Sequence, residues 1–222
     1  MIRTFFAAII LFLACGAASV YAQGDPLLAV NARALRLIDS TNSMLNLRYQ
    51  RFNEELEKVN ALKPLDWDST SIGKLPKTRE TIKDFLNYLE VYRTLSGNLK
   101  KDVEDSVDAI RSGMPARIKQ TYLQVFLDAY SMDQSSFDKY TLAVSKLFTG
   151  VDKLLAFIET SHVEVIGNKL QFIDKKEYEG YSEFFEGVQK ANKKLITASA
   201  NSQKAKIDAD AMMRKEYLAK QK

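Results

Sequence analysis

The sequence has one cysteine, Cys15, and one histidine, His162, among its 222 residues. A single cysteine cannot form a disulfide within the chain, so the fold must be stabilised by packing. A single histidine excludes the paired Glu-x-x-His motifs of di-metal helical bundles and the histidine-rich zinc sites of hydrolases. It also leaves little room for a catalytic triad. We therefore predict a non-enzymatic protein without a metal or a cofactor, in which His162 is an ordinary polar residue.

Other sequence motifs of binding sites are also missing. The chain has no glycine-rich phosphate loop and no nucleotide-binding fingerprint. The stretch from Asp66 to Thr70 resembles the start of a calcium-binding loop, with oxygen ligands at alternate positions. However, Ser71 stands where such a loop requires glycine and Lys77 where it requires a bidentate glutamate. Calcium binding is therefore not predicted.

Long apolar runs are confined to the N-terminus. Arg3 precedes an apolar run over residues 5–13, and small residues follow this run. This order predicts an export signal. The run is shorter than the roughly 20 apolar residues that a membrane-spanning helix needs, so a membrane span is not predicted here. We therefore expect an exported protein that is periplasmic or lipid-anchored in a bacterial cell envelope.

Two positions fit the end of this signal, and both remain open. In the first, residues 1–22 form a signal peptide with Val20 and Ala22 at the small-residue positions, and the mature chain begins at Gln23. In the second, the stretch from Phe12 to Cys15 acts as a lipobox. Residues 1–14 are then removed and Cys15 is lipidated.

Apolar residues at steps of three and four predict four long helices, over about residues 27–60, 77–112, 115–160 and 174–219. Residues 63–76, with two prolines, are expected to form an ordered loop. Gly113 is expected to provide a left-handed stop and Pro115 to begin the third helix. The prediction is an all-α protein, an elongated antiparallel four-helix bundle formed by a single domain over residues 23–222. The inner face of the third helix is predicted to carry, among others, Val125, Ala129, Met132, Ser136, Ala143 and Leu147.

One segment, residues 162–173, has the pattern of a β-hairpin between the third and fourth helices. Gly167 and Asn168 form a two-residue turn, for which glycine in first position predicts type II′. The turn fixes the register, and this register places Val163, Val165, Leu170 and Phe172 on one face. The hairpin is interpreted as a connector that covers one end of the core. The alternative is an exposed strand edge that binds an extended partner segment by strand addition.

Residues 163–172 also carry a family resemblance. This segment, followed by a helix with Tyr178 near its start, resembles part of a family of helical bacterial envelope lipoproteins of unknown function. Asn168, Leu170, Gln171 and Phe172 match the family's element, whereas Lys169 replaces its glycine. The resemblance implies an exported, lipid-anchored helical protein, and it provides no functional residues.

Positive charge is concentrated towards the C-terminus, although the whole chain carries a formal charge of only +4. We predict contact with a membrane surface or with another envelope protein, whereas a plain solvated face is the alternative. Nucleic acid is not an expected partner of an exported protein. The predicted contact residues are Lys190, Lys193, Lys194, Lys204, Lys206, Arg214 and Lys215.

A second hypothesis is a carrier for an apolar ligand or lipid held between the helices. It is based on the small residues Ala129, Ser136 and Ala143, which alternate with aromatic residues on the third helix. The sequence gives no prediction of the oligomeric state.

Overall fold

The computed structural model describes residues 26–68, 70–113 and 121–219. These residues form helices α1 (Pro26–Asn60), α2 (Ser71–Ser112) and α3 (Thr121–Thr160), then strands β1 (Val163–Ile166) and β2 (Lys169–Phe172), then helix α4 (Lys175–Ala219). The prediction of an all-α bundle with one hairpin between the third and fourth helices is therefore confirmed. The predicted helix start at Pro115 lies outside the described residues. Gly113 follows α2 in a turn but does not adopt the predicted left-handed conformation.

The chain groups into two compact units. The first comprises residues up to Leu47, residues 98–133 and residues from Lys206 onward. The second comprises residues 48–97 and 134–205, and it includes the hairpin. All four helices contribute a segment to each unit. The predicted single domain over residues 23–222 and its elongated shape stay predictions.

The second unit has a large aromatic core. The ring of Phe52 is fully buried, and its centroid lies 5.3 Å from that of Phe137 and 5.8 Å from those of Tyr92 and Tyr140. Aromatic pairs at such distances contribute about 0.5–1.5 kcal/mol beyond the burial of their area. Because the four rings come from α1, α2 and α3, they hold these three helices together within the unit. Buried aliphatic side chains complete this core, including Ile82, Leu89, Val144, Leu154, Leu155 and Val188.

The first unit has a smaller core. Ala34, Val107 and Leu123 are fully buried and come from α1, α2 and α3. Leu37, Ile110 and Leu127 pack around them. In this unit too, the interior is formed by helical residues at steps of three and four, as the sequence pattern predicts.

Helix α2 begins earlier than predicted. It starts at Ser71 rather than at Lys77, and Pro76 lies inside it. As the sixth residue of the helix, Pro76 removes only the backbone hydrogen bond to the carbonyl of Ile72, near the helix start. Leu75 is 3% exposed and Ile72 packs against the same core, so burial of these side chains outweighs the lost bond. The rest of the predicted loop packs down as expected, through Leu65 and Trp67.

The buried face of α3 matches the prediction only in part, since Ala129 is buried as predicted whereas other members of the predicted face are not. Met132, predicted to face inward, is 38% exposed, and Val125, Ser136, Ala143 and Leu147 are only half-buried. Several seams at steps of three and four fit this apolar helix, and the seam with the larger side chains buries more apolar area. The aromatic residues of α3 belong to the interior. They are Phe126, Tyr130 and Phe148, which are buried, and Phe137 and Tyr140, which pack against the core.

The hairpin has the predicted register. Val163 pairs with Phe172 and Val165 with Leu170, and these four side chains form its half-buried face. Val163 and Leu170 pack against the aromatic core, as expected of a connector that covers it.

The predicted type of turn in this hairpin is wrong. Gly167 and Asn168 both have positive φ, of 57° and 61°, which defines type I′ rather than type II′. Asparagine tolerates the left-handed region, and a type I′ turn matches the twist of the two strands.

A polar contact interrupts the apolar interior of the second unit. Gln134 is 1% exposed, and its amide donates hydrogen bonds to the Ser96 hydroxyl and, over 2.9 Å, to Oδ1 of Asp138. Ser96 in turn donates to the same carboxylate oxygen over 2.9 Å. The contact links α2 to α3. Another alignment of these two helices would separate Ser96 from Gln134 and Asp138, and buried polar groups without partners are costly, so the contact favours the observed alignment.

Candidate functional site

A surface groove lies between α3 and α4 in the second unit. It is open to solvent and has a volume of about 390 Å³. Helix α3 contributes Ser136 and Lys139 to the lining. Helix α4 contributes Lys193, Lys194, Thr197, Ala198 and Asn201.

Helix geometry brings these side chains together. Ser136 and Lys139 are three residues apart on α3, and Lys193, Thr197 and Asn201 are each four residues apart on α4. Residues at these spacings lie on one face of a helix. The groove therefore has one basic residue on its α3 wall and two on its α4 wall, with small polar side chains between them.

The groove is electropositive because three lysines line it and no acidic residue does, among the residues that the structure describes. Within the described part of the chain, no carboxylate lies within ion-pair distance of Lys139, Lys193 or Lys194. Lys190, one turn earlier on α4, differs in this respect, since its Nζ lies 3.5 Å from Oε2 of Glu186. Lysine is a compact point charge, so three lysines without such a pair around one concave surface can attract an anion.

The structure brings only some of the predicted contact residues together. All seven are exposed, but only Lys193 and Lys194 line the groove. Lys190 is paired as described, and Lys204 belongs to the second unit but lies outside the groove lining. The remaining three, Lys206, Arg214 and Lys215, belong to the first unit, where Lys206 and Arg214 already take part in interactions of their own.

Sequence reasoning missed Lys139. It considered only the basic residues near the C-terminus, whereas Lys139 lies on α3, more than 50 residues earlier. One signal was available. Ser136 was predicted to face the interior, and Lys139, three positions later, lies on the same side of the helix, so this pattern would have placed it near the neighbouring helices. The pairing of this part of α3 with residues 193–201 of α4 is a tertiary feature.

The hairpin is tied to the start of α4 by one carboxylate. Glu177 accepts a hydrogen bond from the backbone N–H of His162 over 3.0 Å, and its other oxygen lies 3.1 Å from Nδ1 of His162. Asp174 accepts from the N–H of Lys176 over 2.6 Å and thereby caps α4. Since the histidine side chain is 82% exposed and bound to a structural carboxylate, its role is to hold the base of the hairpin.

Asp68 forms a side-chain turn immediately before α2 rather than part of a calcium site. Oδ1 of Asp68 accepts hydrogen bonds from the backbone N–H and the hydroxyl of Thr70, both over 2.8 Å. These bonds, with one from Ser71, hold the pKa of Asp68 below its ordinary value of 3.8. The carboxylate thus stabilises the turn that leads into α2. In the described ranges, no group of three or more acidic, histidine or cysteine side chains is placed to hold a metal ion.

The possible lipidation site Cys15 and both possible cleavage positions lie outside the described residues. Of the four helices, none is sufficiently long and apolar, over its described residues, to cross a lipid bilayer.

No protein-family model matches the chain, and neither a similar curated protein nor a similar solved structure was found.

Proposed function

We propose that this protein is an exported, non-enzymatic helical module that binds anionic membrane surfaces through the groove between α3 and α4. The observation that carries the proposal is the set of three lysines on two facing helices, with no carboxylate in the lining. Two of these lysines, Lys193 and Lys194, belong to the cationic stretch predicted to contact a membrane or a partner protein.

The expected strength of such binding follows from the number of lysines. A basic residue near an anionic membrane surface contributes about 1 kcal/mol, so three contribute about 3 kcal/mol. This attraction decays over roughly 10 Å at 0.1 M salt. Alone it supports weak, reversible and salt-sensitive binding, which a lipid anchor at Cys15 would strengthen, since stable anchoring usually takes two signals.

The composition of the groove favours binding over catalysis. Its ionisable side chains are all lysines, and the other lining residues are serine, threonine, alanine and asparagine. General acid–base catalysis is most often carried out by histidine or carboxylate side chains within hydrogen-bond reach of the transferred proton, and the described lining contains neither. Three exposed lysines suit the recognition of an anion.

The carrier hypothesis is less well supported by the packing. Ser136, one of the small residues on which it depends, lines the groove at the surface. The centre of the second unit, where an apolar ligand would lie, contains interlocked rings such as Phe52 and Phe137. Because protein interiors are normally close-packed, this aromatic core favours binding at the surface over a lipid chain held between the helices.

The proposed compartment depends on the N-terminal segment and on the resemblance to envelope lipoproteins. It is tested by the intact mass of the protein purified from the cell that produces it. A mass that corresponds to a chain starting at Gln23 identifies a free periplasmic protein, whereas a chain starting at a lipidated Cys15 identifies an anchored one. A mass that includes residues 1–14 in most molecules would contradict export by either route.

The membrane proposal is tested by flotation with lipid vesicles. We expect the protein to float with vesicles that contain phosphatidylglycerol, to float less as salt is raised, and to float least with purely zwitterionic vesicles. The same processed protein, which lacks the apolar run at residues 5–13, is used with both lipid compositions. The difference between the two compositions therefore measures the electrostatic contribution. Equal flotation with both compositions at all salt concentrations would contradict the proposal and leave a protein partner as the better candidate.

A further inference from the structure

We infer that the groove recognises a phosphate monoester, a group that carries close to two negative charges, rather than anionic surfaces in general. The inference rests on the proposed function, because it assigns a ligand class to the same site. Its distinguishing feature is Lys139, which faces the α4 lysines from the other wall of the groove.

The arrangement of charge favours a compact anion with more than one charge. A lysine-rich surface that lies flat on a membrane presents its ammonium groups side by side, each near a different headgroup. Here lysines from two helices line one concavity, so a single group bound there can interact with lysines of both walls. Ammonium groups that converge on one phosphate form charge-assisted hydrogen bonds, which are about twice as strong as neutral ones.

The number of charges distinguishes a monoester from a diester. A phosphate monoester carries about −1.5 to −2 near pH 7, whereas the diester of an ordinary glycerophospholipid carries −1. With three lysines and no acidic residue in the lining, the monoester compensates more of the local positive charge. It also offers three terminal oxygens, which suits a lining that includes the amide of Asn201 and the hydroxyl of Ser136.

The same chemistry occurs in two sources, a lipid with a terminal phosphate and a small soluble phosphate ester. A volume of about 390 Å³ exceeds what a phosphate group alone would fill, so either source leaves space for the group to which the phosphate is attached. The experiment therefore has one arm with vesicles and one arm in solution.

In the vesicle arm, partitioning is measured on vesicles containing phosphatidic acid and on vesicles containing phosphatidylglycerol, adjusted to equal surface charge. We expect about fivefold stronger partitioning to phosphatidic acid, which is roughly the effect of one additional lysine contact at a membrane. In the solution arm, glycerol phosphate is titrated into the full-length protein at constant ionic strength, and the binding heat is recorded.

Two double variants of equal charge separate the groove from general electrostatics. Lys193→Ala with Lys194→Ala removes the α4 wall, and we expect partitioning to phosphatidic acid to fall about 25-fold. Lys204→Ala with Lys215→Ala removes two exposed lysines of the same helix outside the groove, and we expect a fall of less than about threefold. Asn201→Ala keeps the charge and should weaken glycerol phosphate binding about threefold. Circular dichroism spectra that match the parent confirm that the variants fold.

The outcomes distinguish this inference from the proposed function. A preference for phosphatidic acid that only the groove variant loses supports the inference for a lipid source. Glycerol phosphate binding without vesicle binding supports the phosphate site and contradicts the membrane function. The inference is overturned if the protein partitions equally to the two anionic lipids, the two double variants lose partitioning equally and glycerol phosphate does not bind. General membrane binding would still stand in that case.

Discussion

Arg79 joins α2 to α3 within the second unit, and its removal provides a sharp test of the packing there. Its Nε lies 3.0 Å from Oδ1 of Asp152, and its Nη1 donates to the carboxylate of Glu159. These bonds raise the pKa of Arg79 above its ordinary value, with the bond to Glu159 as the largest cause. The substitution Arg79→Met removes the charge but keeps most of the apolar stem, which limits the loss of packing.

The magnitude follows from the burial of the three side chains. Exposed ion pairs contribute about 0–1 kcal/mol, whereas removing one partner of a buried pair costs about 3–5 kcal/mol. The side chains of Arg79 and Asp152 are 20% and 19% exposed, and that of Glu159 is 32% exposed. This network lies between the two extremes, so we expect Arg79→Met to lower the free energy of unfolding by about 2 kcal/mol.

The assay is equilibrium unfolding in urea, which leaves ion pairs unscreened, unlike a guanidinium salt. Lys58→Met is the matched control, because Lys58 pairs with Glu55 over 2.6 Å but its side chain is 63% exposed. The control should change the free energy of unfolding by less than about 0.5 kcal/mol. Combining Arg79→Met with Asp152→Asn should give a coupling energy of about 1 kcal/mol.

If Arg79→Met and Lys58→Met have the same small effect, the reasoning from burial is refuted. If Arg79→Met is destabilising but shows no coupling to Asp152→Asn or to Glu159→Gln, the effect comes from packing rather than from the ion pairs.

Three further substitutions test local features, each through the free energy of unfolding. Because the hydrogen bonds from Thr70 lower the pKa of Asp68, folding favours the ionised carboxyl, and Asp68→Ala should lower the free energy of unfolding at pH 7. The difference in this free energy between variant and parent should shrink as pH falls from about 3.8 through the folded-state pKa. A gap that persists once the carboxyl is protonated would contradict this. Gly187→Ala should stabilise α4 by about 0.5–1 kcal/mol, since nothing lies within 4 Å of the added Cβ. Gly180→Ala should stabilise α4 less than Gly187→Ala or destabilise it, since its Cβ would lie 2.8 Å from Cζ of Phe157. Equal stabilisation by the two substitutions would show that the Phe157 ring moves aside without a cost, against this prediction.

The register of the hairpin could be predicted because two local signals agree. Side chains alternate along a strand, and a two-residue turn allows only one pairing between Val163 and Phe172. The type of turn could not be predicted with the same certainty. Gly167 fits both types, and the positive φ of Asn168 decides between them.

The helices were predicted more reliably than their ends and faces. The steps of three and four in α1 and α4 extend over many turns, so the presence of these two helices follows from the sequence. The start of α2 depends on whether burying Ile72 and Leu75 outweighs the cost of Pro76, which is a tertiary question. The inward face of α3 depends on the partners that its aromatic residues meet.

The basic groove could be predicted only in part. The sequence identifies a cationic stretch on α4, from which the structure selects Lys193 and Lys194. Adding Lys139 requires the relative position of α3 and α4 within the second unit. Long-range pairing of this kind has no local signal in a single sequence.

The central claim, that a groove with two walls rather than α4 alone binds the anionic surface, is tested most directly by one comparison. The vesicle partition coefficients of Lys139→Ala and Lys193→Ala are measured on the same anionic vesicles at low salt. The account predicts that each falls about fivefold relative to the parent, because the two lysines border the same groove. A Lys139→Ala protein that binds like the parent, while Lys193→Ala binds more weakly, would contradict the account.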